Sequence, residues 1–287
     1  MTTIVSLHAH PDDEALLTGG WLAQRAAAGD RIVVVFATDG EAGLVGSCYA
    51  GAPLAQVRRG EAAAAAAALG VARVVWLGYA DSGMDGQASR ATRRFVDVSV
   101  EEAAREVAAI LLEEDADILT GYDANGGYGH PDHVHVHRVA RGAQATAATR
   151  PRLLEATLDR TWLVRALRVL RPLARLMPGL TIPGDDIYTA RGSHTLIADV
   201  RAHLPAKRRA LAAHASQRTG GIRTITILLA LPTPLARRVL GTEWFIDVGH
   251  RPSQQPHDGA AADREMLSEP PRAKRSWSLI RSQVADM

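Results

Sequence analysis

The sequence predicts an α/β protein built on an open, Rossmann-like, mostly parallel sheet with helices on both faces. Two observations predict this fold. Apolar, β-rich runs alternate with helical patterns four times through the first half of the chain. These runs are nearly continuous in apolar residues, which is typical of parallel strands buried on both faces. In such a fold, ligands bind beyond the carboxyl ends of the strands.

The strands and the segments that follow them alternate in a regular order. The four predicted strands are TIVSLH, RIVVVFAT, ARVVWLG and ADILTGY. The segments after them are EALLTGGWLAQRAAAG, LAQVRRGEAAAAAAALG, SVEEAAREVAAILLEED and DANGGYGHPDHVHVHRVARGA. The alanine run in the second segment has high helix propensity, and Gly70 is expected to cap that helix at its C-terminal end.

The chain divides into a regular first half and a smaller, irregular C-terminal part. We assign residues 1–150 to the catalytic core and residues 151–251 to pocket or lid elements that complete the same domain. Within the latter, SHTLIADV predicts a strand and PAKRRALAAHASQR predicts a helix that begins near Pro205. Arginines at helical spacing in 161–177 indicate the solvated face of a packed helix, with a lid or an interfacial element as alternatives. Residues 252–287 are polar and predict a loosely ordered tail.

Composition narrows the classes of function. A net charge of +2 gives no electrostatic case for binding nucleic acid. Cys48 is the only cysteine, which excludes a disulfide framework and a thiolate-rich zinc site and fits a reducing cytosol. The apolar runs are too short for a signal peptide or a membrane span. We expect a cytoplasmic protein without a membrane span that acts on a small molecule, and the sequence leaves its oligomeric state open.

Two short motifs rich in histidine and aspartate follow predicted strands. HPDD at 10–13 comes after the first strand, and HPDH at 130–133 comes after the fourth. The carboxyl ends of parallel strands meet at one edge of the sheet, so the two motifs should share that edge. Histidine and aspartate beside proline are common in surface loops, but two such motifs at parallel strand ends are a rare coincidence. Together they predict a metal site.

The spacing within the motifs suggests which residues serve the metal. A catalytic zinc takes three protein ligands from histidine and carboxylate groups and leaves a fourth position for water. His10 and Asp13 lie three residues apart around a proline, so both can reach one ion from a turn, and His133 is available as the third ligand. Asp12, beside Asp13, is then the candidate general base. These ligand types suit Zn²⁺ and also Fe²⁺.

The second motif offers further catalytic groups. His130 lies three residues before His133 and can face the opposite side of a substrate. As an imidazolium it would stabilise an oxyanion or protonate a leaving amine, and Asp132 is expected to hold its ring. A metal, a base, an acid and an orienting carboxylate together suit the hydrolysis of an amide.

Three other histidines are interpreted as structural. His8 alternates with the first motif across a strand end and is expected to be a hydrogen-bonded core residue. His137 lies four residues after His133, a spacing that serves zinc in HExxH enzymes, but no catalytic carboxylate accompanies that pair. His135 is assigned the same structural role.

The motifs, AHPDDE followed by GHPDHVHVH, resemble those of the PIG-L/LmbE-like family of zinc-dependent N-deacetylases. Further stretches agree: TDGEAG, RRGEAAAAAAALG, DSGM and KRRALAAHASQ. The resemblance is strong to about residue 150 and patchy to about residue 250. It implies that the zinc ligands are His10, Asp13 and His133 and that Asp12 is the general base. It also implies that His130 acts on the oxyanion and the leaving group, modulated by Asp132.

The stretch YDANGGYGHPDH is most similar to one branch of this family, which deacetylates the inositol-linked N-acetylglucosamine of mycothiol biosynthesis. That resemblance implies that Tyr128 reaches the substrate carbonyl or the transition state. It further implies that Glu41, Arg58 and Asp81 bind the sugar. The leading hypothesis is a metal-dependent hydrolase that removes an N-acetyl or short N-acyl group from an amino sugar or an amino-sugar-containing metabolite.

Two alternatives remain open on the sequence. An amidase for mycothiol S-conjugates, or a tailoring deacylase of natural-product biosynthesis, would share the catalytic set and differ in the size of its pocket. A non-catalytic metal-binding protein is the other alternative, and the intact Asp12 and His130 argue against it.

Overall fold

The computed structural model describes residues 1–43, 49, 53–84, 93–159, 194–218 and 224–249. The arginine-rich segment 161–177 and the tail 252–287 lie outside these residues, so the expectations for them stay predictions.

One mixed sheet organises the described part of the chain. Its seven strands are β1 (Thr3–His8), β2 (Arg31–Thr38), β3 (Arg73–Tyr79), β4 (Ile118–Tyr122), β5 (Arg152–Thr157), β6 (Leu196–Asp199) and β7 (Thr242–Asp247). They lie in the order β3-β2-β1-β4-β5-β7-β6. The first five pair in parallel, whereas β7 runs antiparallel to both β5 and β6. The predicted mostly parallel α/β fold is confirmed.

Helices connect the strands, and most of them follow the predicted segments. The helices are α1 (Gly19–Ala27), α2 (Leu54–Leu69), α3 (Val100–Glu113), α4 (Gly126–Gly129), α5 (Pro131–Thr146), α6 (Leu204–Ala213), α7 (Thr224–Ala230) and α8 (Thr233–Leu240). Gly70 ends α2 with a φ of +76°, as its lack of a side chain allows. The Ser99 side chain caps α3 by accepting the N–H of Glu102 at 3.1 Å. None of the described helices is long and apolar enough to cross a bilayer.

The crossovers place helices on both faces of the sheet. The chain runs from β1 through α1 to β2 on one side of β1, and from β4 through α5 to β5 on the other side. Right-handed crossovers in opposite directions cover opposite faces. In agreement, α3 packs on α5, while α1, α2 and α6 pack on one another. The central strands β1, β2, β4 and β5 are almost fully buried, and β1 is buried over its whole length. The outer strands β3, β6 and β7 are only partly buried.

The point where the strand order reverses lies between β1 and β4. From β1 the chain moves outward to β2 and β3, and then returns to β4 on the opposite side of β1. Open α/β sheets bind ligands in the crevice at such a switch point. The HPDD motif follows β1 and the HPDH motif follows β4, so the topology brings both motifs to this crevice.

Candidate active site

The turn that carries HPDD, residues 10–13, directly follows β1 and has a strained backbone. Asp12 has a φ of +107°, which a residue with a side chain rarely adopts, and such outliers cluster at functional sites. Its carbonyl accepts hydrogen bonds from the N–H groups of Ala15 and Leu16 at 3.1 and 3.0 Å. Its own N–H donates to the Glu14 carboxylate at 2.9 Å. These contacts fix the conformation of the turn.

The HPDH motif begins α5 after a glycine-rich turn. Three glycines of that turn have a positive φ, namely Gly126, Gly127 and Gly129. The Asp123 carboxylate accepts the N–H of Gly127 at 3.0 Å and so closes the turn. His130 caps the helix, because its Nδ1 accepts the N–H of Asp132 at 3.2 Å. His133 follows one turn later and points into the same crevice as the first motif, where its ring lies 5.3 Å from that of His10.

Three side chains converge as the sequence predicts for a metal site. His133 Nε2 lies 3.3 Å from Asp13 Oδ2 and 3.3 Å from His10 Nδ1. His10 Nδ1 in turn lies 3.4 Å from Asp13 Oδ2. Ligands bound to a tetrahedral zinc at about 2.0–2.1 Å are about 3.3–3.4 Å apart. This nearly equilateral triangle therefore fits the ligand spacing of one divalent ion.

Neighbouring groups offer two further combinations of donor atoms. His10, His130 and His133 have nitrogens within 4.8 Å of one another, and so do the donor atoms of His10, Asp81, His130 and Asp132. The first combination lacks a carboxylate to balance the charge of the ion. In the second, the His10 nitrogen already faces two carboxylates as a hydrogen-bonding group. We therefore favour the triangle of His10, Asp13 and His133 as the ligand set.

The remaining nitrogen of His10 is held by carboxylates behind the triangle. Its Nε2 lies 3.1 Å from Asp132 Oδ2 and 3.4 Å from Asp81 Oδ1. Asp132 Oδ2 also accepts the N–H of Ser82 at 3.0 Å. A carboxylate behind a histidine ligand fixes the ring and its tautomer. The structure thus gives His10 the supporting carboxylate that we expected for His130.

The physical reason for this difference is helix geometry. Asp132 lies two residues after His130, and side chains at that spacing point to different sides of a helix. The contact that His130 does receive is the backbone N–H of Asp132, not its carboxylate. Asp132 remains next to the site, but its side chain serves His10.

The charge of the crevice favours a cation. Four carboxylates surround the histidines, and their side chains are 17%, 7%, 5% and 0% exposed for Asp12, Asp13, Asp81 and Asp132. Arg58 lies beside them, with its Nη2 3.5 Å from Asp12 Oδ2. Buried carboxylates in excess of nearby cations are stabilised by a bound divalent ion. The negative charge of the crevice and the donor triangle formed by His10, Asp13 and His133 both favour a divalent cation.

Asp12 is the carboxylate of this group that is most open to a substrate. Burial raises the pKa of Asp12 to about 6, and the positive charge of Arg58 opposes that rise. A carboxyl group in this range is mostly ionised at neutral pH and can still accept a proton readily. Its exposure and its pKa both suit the base that the sequence predicts.

His130 differs from the imidazolium that we expected. Burial, together with the neighbouring His10 and His133, lowers the pKa of His130 to about 4. Its Nδ1 accepts a backbone N–H, so the proton of the neutral ring resides on Nε2. A neutral imidazole held in this way donates a hydrogen bond to an oxyanion without carrying a charge.

The three residues expected to bind the sugar lie around the crevice and hold its loops. Arg58 is buried, and it donates to the carbonyls of Pro11, at 2.9 Å, and Gly40. Glu41 accepts the N–H of Asp81 at 3.0 Å. These contacts tie the loops after β2 and β3 to the HPDD turn. Contact of Arg58, Glu41 and Asp81 with a sugar stays a prediction.

Tyr128 stands at the mouth of the crevice. It is 42% exposed, and its ring lies 5.0 Å from that of His133 and 6.1 Å from that of His130. Tyr128 therefore lies beside both histidines, and its contact with a substrate stays a prediction.

The three histidines interpreted as structural lie in the core or against the backbone. His8 is buried, with its Nε2 2.8 Å from Ser6 Oγ, and burial lowers its pKa to about 4. His135 is buried and packs edge-on against Phe95. His137 Nδ1 lies 3.0 Å from the carbonyl oxygen of Tyr122. Each is engaged away from the donor triangle, as predicted.

Two residues beside the site were not predicted. Glu14 Oε1 lies 2.7 Å from His214 Nε2, and both side chains are buried. The two residues are 200 positions apart, so no spacing within the sequence could have paired them. The signals for them were two family-like stretches, AHPDDE, which ends at Glu14, and KRRALAAHASQ, which contains His214.

Replacing Gly126 by alanine is expected to lower both the melting temperature and the metal content. A Cβ at this position would lie 2.5 Å from the nitrogen of Val134 and 2.8 Å from the carbonyl carbon of His133, with φ at +57°. The start of α5 would have to move, and His133 with it. Gly129→Ala is a matched control, because its φ is +87° and a Cβ there meets no atom within 4 Å.

Both variants carry the cost of a left-handed backbone, about 1–2 kcal/mol. Thermal unfolding and elemental analysis of the metal-loaded proteins would measure the difference between them. Equal metal contents in the two variants would show that the contact of Gly126 with α5 does not position His133.

Comparison with known proteins identifies relatives over most of the chain. A family model described as GlcNAc-PI de-N-acetylase (PIG-L) matches residues 5–144. A relative from Actinosynnema mirum, named 1D-myo-inositol 2-acetamido-2-deoxy-alpha-D-glucopyranoside deacetylase, is 37% identical over 261 residues, which cover 85% of this chain and 90% of the relative.

Solved structures with the same fold include more than one kind of enzyme. N,N'-diacetylchitobiose deacetylase from Pyrococcus horikoshii has a TM-score of 0.55 and 21% identity, over 86% of this chain and 82% of that chain. GalB, the 4-carboxy-2-hydroxymuconate hydratase from Pseudomonas putida, has a TM-score of 0.57 and 17% identity, over 90% and 100%. At these identities the likeness speaks to the fold alone, and the fold by itself does not fix the reaction.

Proposed function

Because the chain belongs to the GlcNAc-PI de-N-acetylase family, we propose that it deacetylates an N-acetylglucosaminyl-inositol with a divalent ion at His10, Asp13 and His133. Its reaction class is the hydrolytic removal of an N-acetyl group from an amino sugar. The inositol-linked sugar, the zinc ion and the roles of single residues are the proposed parts.

The observation that carries the proposal is the triangle of His10 Nδ1, Asp13 Oδ2 and His133 Nε2, with sides of 3.3–3.4 Å. Its edges suit zinc, and its ligand types suit Zn²⁺ or Fe²⁺. A divalent ion held there would supply Lewis acidity, which lowers the pKa of a water molecule and polarises the amide carbonyl.

Two residues around the triangle carry out proton transfer and stabilisation of the oxyanion. Asp12 takes the proton of the attacking water as the water oxygen bonds to the acetyl carbon. His130 Nε2–H donates a hydrogen bond to the carbonyl oxygen as negative charge develops there. The C–N bond then breaks, and the amine nitrogen takes the proton that Asp12 holds. The products are acetate and the free amino sugar.

This assignment differs from the sequence-based one in the source of the final proton. A neutral His130 whose Nδ1 accepts a backbone N–H has only its Nε2 proton to give, and losing that proton would leave an imidazolate. Asp12 is protonated after the first step, so it is the better acid. His130 then acts through hydrogen bonding, and Tyr128 at the mouth is placed to contact the substrate.

Replacing His130 by glutamine is expected to retain much more activity than replacing it by alanine. The side-chain amide introduced by His130→Gln keeps an N–H donor near the position of Nε2, whereas His130→Ala removes the donor. Loss of one oxyanion donor lowers kcat by about 10²–10³-fold. Steady-state kinetics of both variants at full metal occupancy would show whether His130 acts as a neutral hydrogen-bond donor or as a charged acid. If the glutamine variant were as slow as the alanine variant, His130 would have to act as a charged acid.

The substrate is tested by direct hydrolysis. The zinc-loaded protein is incubated with N-acetylglucosaminyl-inositol, free N-acetylglucosamine and a bulky mycothiol S-conjugate, and the released primary amine is measured with a fluorogenic reagent. We expect the highest kcat/KM on the inositol-linked sugar, and Asp12→Asn serves as the inactive control. Preference for the S-conjugate would replace the deacetylase proposal by the amidase alternative.

A further inference from the structure

One peptide group in the active-site turn is held at both ends by buried charged side chains. The group joins Pro11 to Asp12: its carbonyl accepts a hydrogen bond from Arg58 Nη2 at 2.9 Å, and its N–H donates to Glu14 Oε2 at 2.9 Å. Arg58 is 3% exposed and Glu14 is 1% exposed. The orientation of this peptide plane is thus set from both sides.

That orientation is one which the chain would not adopt unaided. It gives Asp12 a φ of +107°, in a region that disfavours residues with a Cβ. Rotating the peptide plane would relieve the strain, but it would also break both hydrogen bonds and swing the Asp12 and Asp13 side chains. The hydrogen bonds to Arg58 and Glu14 therefore hold the strained turn in place.

Glu14 is itself held by a residue from the C-terminal part of the chain. Its Oε1 lies 2.7 Å from His214 Nε2, and His214 is fully buried. Both side chains lie in the protein interior, at 1% and 0% exposure, where a polar group that loses its hydrogen-bond partner is left uncompensated.

We propose that Glu14 and His214 are positioning residues for Asp12, which they hold by fixing the Pro11–Asp12 peptide group in its strained orientation. The inference rests on the proposed function, because it takes Asp12 to be the catalytic base. No hydrogen bond within the described part of the chain joins His214 to the donor triangle or to Asp12, so its hydrogen-bonded route to Asp12 runs through Glu14. The charge of a protonated His214 also acts on the Asp12 carboxylate directly, and His214→Gln, which removes that charge and keeps the hydrogen bond, separates the two effects.

The two residues that hold this peptide group from outside, Arg58 and His214, come from two helices that pack on each other. Arg58 lies on α2, and His214 directly follows α6, which packs on α2. Ser216 fastens the turn after α6 to the same helix, because its N–H and Oγ both lie 2.7 Å from the Glu61 carboxylate. The C-terminal part of the chain thereby contributes to the active-site turn from outside the crevice.

Variants that keep the size and polarity of His214 test the proposal. His214→Gln keeps an N–H donor near the position of Nε2 and can still reach Glu14, whereas His214→Asn is one methylene shorter and cannot. Ser216→Ala is the matched control, since it removes one side-chain hydrogen bond near His214 but keeps the bond from the backbone N–H to Glu61 that fastens the turn, and it leaves the Glu14 contact untouched. For each zinc-loaded protein, kcat, KM, metal content and melting temperature are measured on an N-acetylated amino sugar that the wild type hydrolyses.

We expect His214→Asn to lower kcat by about tenfold to a hundredfold, the range that follows from misplacing a catalytic group by a fraction of an ångström to 1 Å. KM should stay within about twofold, and metal content should be unchanged. His214→Gln should recover most of the loss, and Ser216→Ala should keep the kcat of the wild type. A purely structural role would instead lower the melting temperature and leave kcat per folded molecule unchanged, which would overturn the proposal.

A double-mutant cycle separates this inference from the proposed function. Asp12→Asn should abolish most turnover, and adding His214→Asn to it should lower kcat little further, since the group being positioned is already gone. If the kcat decreases of Asp12→Asn and His214→Asn instead multiply in full in the double variant, His214 does not act through Asp12. The inference then fails, while Asp12 remains the base. If Asp12→Asn alone keeps wild-type turnover, the proposed function itself fails. A kcat loss in His214→Asn that matches a loss of metal would also overturn the inference.

Discussion

His133→Ala is expected to lose the bound metal and the turnover together. His133 Nε2 contributes two of the three edges of the donor triangle, at 3.3 Å to both Asp13 Oδ2 and His10 Nδ1. Two ligands alone hold a divalent ion weakly, and without the ion neither the water nor the carbonyl is activated. Elemental analysis of the purified variant and its deacetylation rate measure both losses.

The matched control for this prediction is His137→Ala. His137 lies on the same helix four residues later, at the zinc-like spacing, but its Nδ1 faces the carbonyl oxygen of Tyr122 at 3.0 Å and Glu155 Oε1 at 3.2 Å. This variant should keep its metal and its turnover. Full metal content in His133→Ala, with loss in His137→Ala, would move the third ligand to His137 and contradict the proposed site.

The convergence of the two motifs could be predicted because it depends on the fold rather than on detailed contacts. Near-continuous apolar runs identify parallel strands, and motifs at the ends of such strands meet at one edge of the sheet. The strand order places β1 directly beside β4, so His10 and His133 become neighbours although 123 residues separate them.

Strands β5 and β7 were not predicted, because buried carboxylates interrupt their apolar pattern. Glu155 in β5 is buried and pairs with Arg141 Nε at 2.7 Å. Glu243 in β7 is buried against Lys207 Nζ at 2.6 Å, and it also accepts backbone N–H groups at the start of α1. A buried carboxylate needs a cation or a hydrogen-bond donor beside it, and here those partners are distant in sequence. From the sequence alone, each segment therefore appears too polar to form a buried strand.

The polar contacts of the site could not be predicted from the sequence for the same reason, because their partners are distant in sequence. The spacing within HPDH suggested that Asp132 holds His130, but the carboxylate faces His10 from another strand end, at 3.1 Å. The pairing of Glu14 with His214 likewise depends on how α6 packs against α2. Sequence patterns identified the groups that carry the chemistry, whereas the groups that orient them depend on tertiary packing.

Asp12→Asn is expected to keep the metal and the fold and to lose most turnover. Asparagine has nearly the same shape as aspartate and tolerates a positive φ well, so the turn at +107° can persist. Alanine lacks that tolerance, which makes asparagine the cleaner substitution. The amide, however, cannot accept the proton of the attacking water, and general-base assistance is worth about 10²–10⁴-fold in rate.

The loss should appear in kcat at unchanged metal content, because Asp12 lies outside the donor triangle while Asp13 belongs to it. Asp39→Asn is the control for removing one negative charge: Asp39 lies after β2 and pairs with Arg59 at 2.8 Å, away from the triangle, and its variant should keep its turnover. If Asp12→Asn lost metal in proportion to rate, Asp12 would be a ligand. If it kept both metal and rate, another group would have to accept the proton, and Asp12 would not be the general base.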